Sequence, residues 1–400
     1  MNVVGWSIKQ AIWKLFPLFI SISFATDVYV PALPLIGEYF SIYNSSLQAT
    51  LYVFMFTVAF AQLIIGPLAD ILGRRMLGVG AAVFYLSGSL LCGFSNSLSV
   101  LLIGRVLQAI GACGTYLLCF IIVRDNFRTK ECGQIFSLLW GVNAIVASIA
   151  PLIGGGLVDI TATWRSGFMF VSAIAVLILL AAVFNIPNYQ PANKNKYAKL
   201  EWRTWLIIFK NSYFQKYTIF AACGLLGLYL FCALSPVILI KNLHISATQY
   251  GMLFSLNALI VFASNLLAAH LAKTRKLETI VFGGIWLVIV AGVLMIAVNL
   301  VSTSVYSFML PMYLMTIGLG CSMGSAVALA LRDLEKLASV ATSIVASIQF
   351  GFAALVGCLG SAFSISPISL ALPVLLVAIT GLMLCHRHQG TTVSLFSSMR

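Results

Sequence analysis

Phe54-Met55-Phe56-Thr57-Val58-Ala59-Phe60-Ala61-Gln62-Leu63-Ile64-Ile65-Gly66-Pro67-Leu68-Ala69-Asp70-Ile71-Leu72-Gly73-Arg74-Arg75 is an apolar run that stops abruptly on an acid, a glycine and two arginines. A second apolar run begins at the next residue. Crossing a bilayer as a helix takes roughly 20 apolar residues, and in lipid only helices or closed barrels satisfy every backbone polar group. The pattern of long apolar run and short charged gap continues in both directions. It predicts membrane helices near 11–34, 47–69, 76–95, 98–122, 133–160, 165–187, 214–240, 248–272, 278–300, 304–331, 339–363 and 366–386. The 400 residues are 61% hydrophobic and 8% charged, with a mean hydropathy of +1.04. A soluble domain carries roughly 25% charged residues, so this composition excludes one and indicates an all-α membrane protein.

The first apolar run continues through Thr26-Asp27-Val28-Tyr29-Val30-Pro31 without a small-residue cleavage site, so it reads as a membrane helix rather than a signal peptide. Alternate gaps hold Arg74 and Arg75; Arg124, Arg128 and Lys130; the run from Lys194 to Lys216; Lys273, Arg275 and Lys276; and Arg332 and Lys336, whereas the opposite gaps hold only Arg165 and Lys241. By the positive-inside rule the basic gaps and both termini face the cytoplasm, which predicts a multi-pass protein of the bacterial inner membrane. The net charge of +13 is thereby accounted for by topology, and no nucleic-acid partner is expected. The organisation expected is an N-terminal six-helix bundle over 1–187, a cytoplasmic linker over 188–212 with an interfacial helix near Glu201-Trp202-Arg203, a C-terminal bundle over 213–387 and a mobile cytoplasmic tail over 388–400.

Nine cysteines occur without a CxxC or a Cys/His cluster, and His244, His270, His386 and His388 lack ligand spacing, so no metal site is expected. No HExxH, GxSxG or Walker loop is present, which argues against an enzyme.

Several segments resemble one family. Gly66-Pro67-Leu68-Ala69-Asp70-Ile71-Leu72-Gly73-Arg74-Arg75 is similar to the loop between the second and third helices of the major facilitator superfamily. The family uses this loop as a conformational latch, which implies that role for Gly66, Asp70, Gly73, Arg74 and Arg124; the acid can cap a neighbouring helix N-terminus or pair with an arginine such as Arg124. Gly104-Arg105-Val106-Leu107-Gln108-Ala109-Ile110-Gly111-Ala112 resembles the family's fourth-helix motif with its buried arginine. Ala150-Pro151-Leu152-Ile153-Gly154-Gly155 resembles the antiporter motif of proton-driven exporters, which singles out Pro151, Gly154 and Gly155. Thr26 to Pro34, Ile122-Val123-Arg124-Asp125 and Trp164-Arg165 resemble the bicyclomycin and chloramphenicol resistance (Bcr/CflA) branch of drug:proton antiporters. That implies twelve helices in two pseudo-symmetric six-helix bundles, and the recurrence of Val123-Arg124-Asp125 as Leu331-Arg332-Asp333 agrees with two parallel repeats. In the second half the counterpart of the latch loop, His270-Leu271-Ala272-Lys273-Thr274-Arg275-Lys276, lacks the glycine and Asp pattern.

A charged group in a bilayer core is expensive and is by default a functional hypothesis whose partner must be named. Asp27 lies about 10 to 15 Å, and Arg105 about seven residues, below the same end of their helices at 1.5 Å per residue. Matching depth suggests a direct or water-bridged pair in which Arg105 favours the carboxylate, burial favours the acid, and proton uptake competes with substrate. A purely structural ion pair is the alternative. Tyr116, Gln108, Asn257 and Gln349 are candidate cavity groups or, equally, interhelical hydrogen-bonders. The function expected is export of small amphipathic compounds, such as antibiotics, driven by the proton gradient with no cofactor, in a monomer whose partners are substrate, protons and lipid. Export of an endogenous metabolite such as a siderophore or amino-acid derivative is the alternative.

Overall fold

A computed structural model of the chain describes residues 5–42, 45–188, 202–334, 337–360 and 365–397. Among them are twelve helices long and apolar enough to cross a bilayer: spans 1 to 12 cover Ile8–Tyr39, Gln48–Leu72, Arg74–Gly93, Leu98–Asn126, Gln134–Thr161, Arg165–Asn185, Ser212–Asn242, Ala247–Leu271, Leu277–Val301, Val305–Ala330, Val340–Gly360 and Pro367–Cys385. No strand occurs among the described residues. The chain is a multi-pass, all-helical membrane protein.

Span ends follow local chemistry. Gly73, at φ 84°, makes the turn that separates spans 2 and 3, a backbone setting that favours glycine. The Ser97 hydroxyl caps span 4 by accepting from the Val100 N–H, and Ser304 and Ser307 cap span 10 reciprocally. A short helix, Trp202–Lys210, precedes span 7 where the sequence suggests an interfacial helix. The last helix runs on to Ser397, through most of the segment expected to be a mobile tail; residues 398–400 lie outside the described residues.

Two spans are interrupted. Span 1 is helical over Ile8–Phe19 and Ser21–Asp27, tightens into a 3-10 turn at Val30–Ala32 and resumes at Leu33–Tyr39. Pro31 and Pro34 remove donors here, so the break is dictated by sequence. Span 7 is α-helical to Pro236 and widens into a π-helical turn over Val237–Asn242. Broken membrane helices free backbone groups, and that is tolerated where the backbone is buried in protein or lines a cavity.

The chain forms two compact units. The first comprises Met1–Leu200 with Cys232–Leu259 and Ser361–Phe363; the second comprises Glu201–Phe231, Ile260–Gly360 and Ser364–Arg400. Within the first, a Cβ at Gly111 would stand 2.2 Å from the Tyr85 nitrogen, so spans 3 and 4 touch backbone to backbone. Within the second, a Cβ at Gly318 would stand 2.5 Å from the Gly284 carbonyl oxygen, giving spans 9 and 10 the same contact six helices later. Without a hydrophobic force between helices in lipid, such small-residue packing is what holds neighbours together.

Candidate functional site

Arg105 is wholly buried on span 4, and its guanidinium is held by carbonyls and rings. Nε donates to the Thr50 carbonyl (3.0 Å), Nη1 to the Ala25 carbonyl (2.8 Å) and to Gln108 Oε1, and Nη2 to the Tyr29 hydroxyl (3.3 Å). The faces of Tyr29 and Phe54 lie 4.3 and 4.4 Å away. Five donors in a planar fork suit this set of acceptors, and carbonyl dipoles and aromatic faces both stabilise the cation. Gln108 completes the arrangement by donating to the Ser89 hydroxyl at 2.9 Å. It is buried behind Arg105 and joins spans 3 and 4.

Asp27 is the last residue of the helix Ser21–Asp27, at the break in span 1, and is half-buried. Its Oδ1 accepts from the Thr26 hydroxyl at 2.9 Å. That hydroxyl also lies within bonding distance of the Ile22 and Ser23 carbonyls, and having one proton it satisfies them in turn. Among the described residues no ion pair joins Asp27 to Arg105. The reason is helical phase: Ala25 and Tyr29, which bind Arg105, are four residues apart and share a face, while Asp27, two residues from each, points away from it. Of the direct or water-bridged pair expected, the direct contact is not formed among the described residues; Arg105 instead grips the segment that carries the acid.

The acid's own surroundings contain residues not singled out in the sequence. Ser23, one turn before Asp27, donates to Asn143 Oδ1 of span 5 at 3.0 Å. In the same unit the Tyr250 hydroxyl is bonded to Ser235 at 2.9 Å, both fully buried. A polar side chain amid an apolar span, as at Asn143 and Ser235, was the available signal. Tyr116 is half-buried in an aromatic group, with ring centroids 4.9 Å from Phe19 and 5.1 Å from Phe120. Asn257 is buried in span 8. Gln349 donates to the Ala221 carbonyl at 3.0 Å, an interhelical bond between spans 11 and 7 inside the second unit.

The glycines of the fifth-span motif are sites of contact. A Cβ at Gly154 would fall 1.8 Å from the Val28 carbonyl oxygen, and one at Gly155 would fall 2.2 Å from that of Ala247. Gly251 of span 8 reciprocates, 2.7 Å from the Pro151 carbonyl oxygen by the same measure. One turn beyond Gly155, Asp159 Oδ2 accepts from the Thr248 N–H at 2.9 Å and so caps the helix that begins at Ala247, where a negative charge meets the positive helix end. Gly155→Val is therefore expected to overpack this contact at a cost of about 1–3 kcal/mol and to slow transport about tenfold in proportion, while Gly156→Ala, where a Cβ meets nothing within 4 Å, leaves transport unchanged. Comparing initial rates in everted vesicles at equal expression checks both.

At the turn between spans 2 and 3, Arg74 is 2% exposed and bridges two acids: Nη1 to Asp70 at 2.7 Å and Nε to Asp125 of span 4 at 2.8 Å. Span 4 supplies Asp125 to the latch, engaged through Arg74. Arg75 donates to the Val183 carbonyl at 2.9 Å. A Cβ at Gly66 meets nothing within 4 Å, so backbone approach does not require that glycine. In the second unit Glu278, in the first turn of span 9, pairs with Arg332, just after span 10, at 3.2 Å. Tyr213 packs on the same arginine at 5.1 Å. The pair links the start of span 9 to the end of span 10, as Arg74 and Asp125 link the start of span 3 to the end of span 4, with the charges exchanged. Its side chains are 52% and 33% exposed, so Arg332→Ala is expected to cost under about 1 kcal/mol. Arg74→Ala removes a buried guanidinium that bonds both Asp70 and the more exposed Asp125 and is expected to cost about 2 kcal/mol. Thermal unfolding in detergent should rank the two variants in that order.

A sequence model described as Major Facilitator Superfamily matches residues 15–364. The chain is 28% identical over 344 residues to a chloramphenicol resistance protein of Pseudomonas aeruginosa, covering 85% of this chain and 80% of that one. It is 25% identical over 338 residues to the multidrug resistance protein MdtL of Vibrio parahaemolyticus, covering 84% of each. Among solved structures, a D-xylose–proton symporter superposes with a TM-score of 0.73 at 14% identity, over 94% of this chain and 96% of that one. The inward-open xylose transporter XylE of E. coli gives 0.72 at 12% identity, over 94% and 95%. These two likenesses concern the fold.

Proposed function

The chain belongs to the Major Facilitator Superfamily of membrane transporters, and from that premise we propose that it exports small amphipathic compounds, lipophilic antibiotics among them, in exchange for protons. The relatives named for chloramphenicol and multidrug resistance, matched over most of their length, support the substrate class. The single observation that carries the coupling is Asp27: an acid at the break of span 1, half-buried, bonded only to a neighbouring hydroxyl among the described residues and without a cation against it.

The coupling follows from proton bookkeeping at Thr26. When Asp27 is a carboxylate, the Thr26 proton points to it. When Asp27 takes up a proton, that proton is donated to Thr26 Oγ1 and the Thr26 proton turns to the Ile22 carbonyl, whose oxygen already lies at 2.9 Å. Both protonation states are satisfied without moving the backbone, which is what a reversible proton carrier needs. Substrate in contact with Asp27 favours one state, protonation the other, and that differential is the coupling free energy. Arg105 acts through the Ala25 carbonyl and the Tyr29 hydroxyl, holding the break in place.

In this reading the basic loops and both termini are cytoplasmic, the membrane is the bacterial inner membrane, the two six-helix repeats (1–187 and 213–387) alternate access as one monomer, and the proton gradient replaces any cofactor. The Asp70, Arg74 and Asp125 bridge and the Gly154, Gly155 and Asp159 contacts, formed together here, brace the spans of the first unit. Chloramphenicol uptake into everted vesicles energised by respiration tests the proposal: accumulation that collapses with a protonophore supports it, and gradient-independent accumulation contradicts it.

A further inference from the structure

From Leu18 to Pro34 every side chain of span 1 is buried except those of Ile22, Ser23 and Asp27, which are half-buried. Ser23 and Asp27 stand one turn apart on the same helix face, so the access they keep is to a common space. Span 5 supplies a wall of that space, because Ser23 Oγ donates to Asn143 Oδ1 at 3.0 Å. The exposed apolar side chains Leu138, Ile145, Ile149 and Leu152 mark the lipid side of span 5. At about 100° per residue, Asn143 and Phe136 fall on the opposite side, so the access that half-buried Asn143 keeps is internal to the bundle. Its Nδ2 has two protons to donate and meets no acceptor among the described residues. A polar group left so inside a membrane span is costly, and a polar molecule entering the space removes the cost.

One turn before Ser23 an aromatic group begins. Phe19 contacts Tyr116 at 4.9 Å and Phe120 at 5.6 Å, and Phe120 contacts Phe136 of span 5 at 4.8 Å. Tyr116, Phe120 and Phe136 are half-buried and keep ring surface available. Three chemistries thus follow one another along span 1: the rings, the Ser23–Asn143 pair about 6 Å further on, and Asp27 about 6 Å beyond that. Along span 5, Phe136 and Asn143 are seven residues apart, about 10 Å. We propose that Asn143, oriented by Ser23, is a specificity-determining residue that donates to a neutral acceptor on the substrate. The preferred substrates are then aryl compounds carrying an amide or hydroxyl within about 6–10 Å of the ring. A site built to hydrogen-bond its substrate rejects the analogue lacking that group, because its own polar group stays unpaired. The inference rests on the export reading above and narrows its substrate class.

The full chain, purified in mild detergent, is titrated with chloramphenicol, which carries an aryl ring, an amide and hydroxyls, and with tetraphenylphosphonium, which carries rings and no hydrogen-bonding group. The ratio of the two affinities is expected to shift against chloramphenicol about tenfold in Asn143→Leu and about threefold in Ser23→Ala. Asn143→Gln, which keeps the amide, is expected to shift it less than Asn143→Leu. Because Asn143→Leu can misfold, its unfolding temperature is recorded alongside, and Ser23→Ala, which deletes one oxygen, gives a second measurement. A ratio unchanged in both variants, or a wild-type chain that binds tetraphenylphosphonium but not chloramphenicol, overturns the inference and leaves export itself standing. A wild-type chain that binds neither compound overturns the export reading and the inference together.

Discussion

Asp27→Asn is expected to reduce gradient-driven efflux to the background of vesicles lacking the protein, while membrane insertion and thermal stability stay at the wild-type level. The substitution keeps the size of the side chain and its capacity to accept from Thr26, but an amide takes up no proton in this range. The helix break at Val30–Ala32 is set by proline and the grip on the segment by Arg105, neither of which depends on the charge of residue 27. The variant therefore separates coupling from folding. Counterflow, the exchange of labelled for unlabelled substrate without a gradient, is expected to persist in Asp27→Asn, because alternating access itself needs no titration. Wild-type efflux by this variant would remove Asp27 from the mechanism.

Arg105→Lys is the second severe change. Lysine keeps the charge, yet its ammonium has three donors on a flexible stem and lacks the planar fork. It cannot reach the Thr50 carbonyl, the Ala25 carbonyl, Gln108 and the Tyr29 hydroxyl together, all of which Arg105 engages. Losing two hydrogen bonds of a charged donor costs about 3 kcal/mol, and Gln108 loses the neighbour that orients it towards Ser89. The expected outcome is a lowered unfolding temperature in detergent together with transport at least tenfold slower, even though Asp27 is intact. A variant with wild-type stability and transport would show that the guanidinium does not organise span 1.

The architecture was legible because a membrane helix is specified by local apolarity and length, and the break in span 1 because Pro31 and Pro34 are visible in the chain. The buried arginine was legible for the same reason, since a charge in an apolar run is conspicuous. Its partner was not. Depth along two antiparallel helices can be counted from sequence, but the direction a side chain takes around each helix depends on tertiary packing. Ala25 and Tyr29, not Asp27, turn towards span 4. Gln108 and Gln349 illustrate the same limit: sequence leaves cavity lining and interhelical bonding equally open, and only their partners, the donor Arg105 and the acceptor Ser89 for one and the Ala221 carbonyl for the other, distinguish them. The charge-exchanged pair Glu278–Arg332 was hidden because its signs are reversed with respect to the first repeat, so the pattern of glycine, acid and paired basics offered no guide. The contact between Gly155 and Ala247 joins residues far apart in the chain, which no local periodicity encodes.

The central claim is that one carboxyl group exchanges a proton against substrate. It is tested most directly in weakly buffered detergent solution, where a pH indicator records protons released when lipophilic antibiotics, beginning with chloramphenicol, are added to the purified transporter. Wild-type protein is predicted to release protons in proportion to the substrate bound, and Asp27→Asn to bind without release. Substrate binding to the wild type with no proton released, or equal release from Asp27→Asn, would contradict the account.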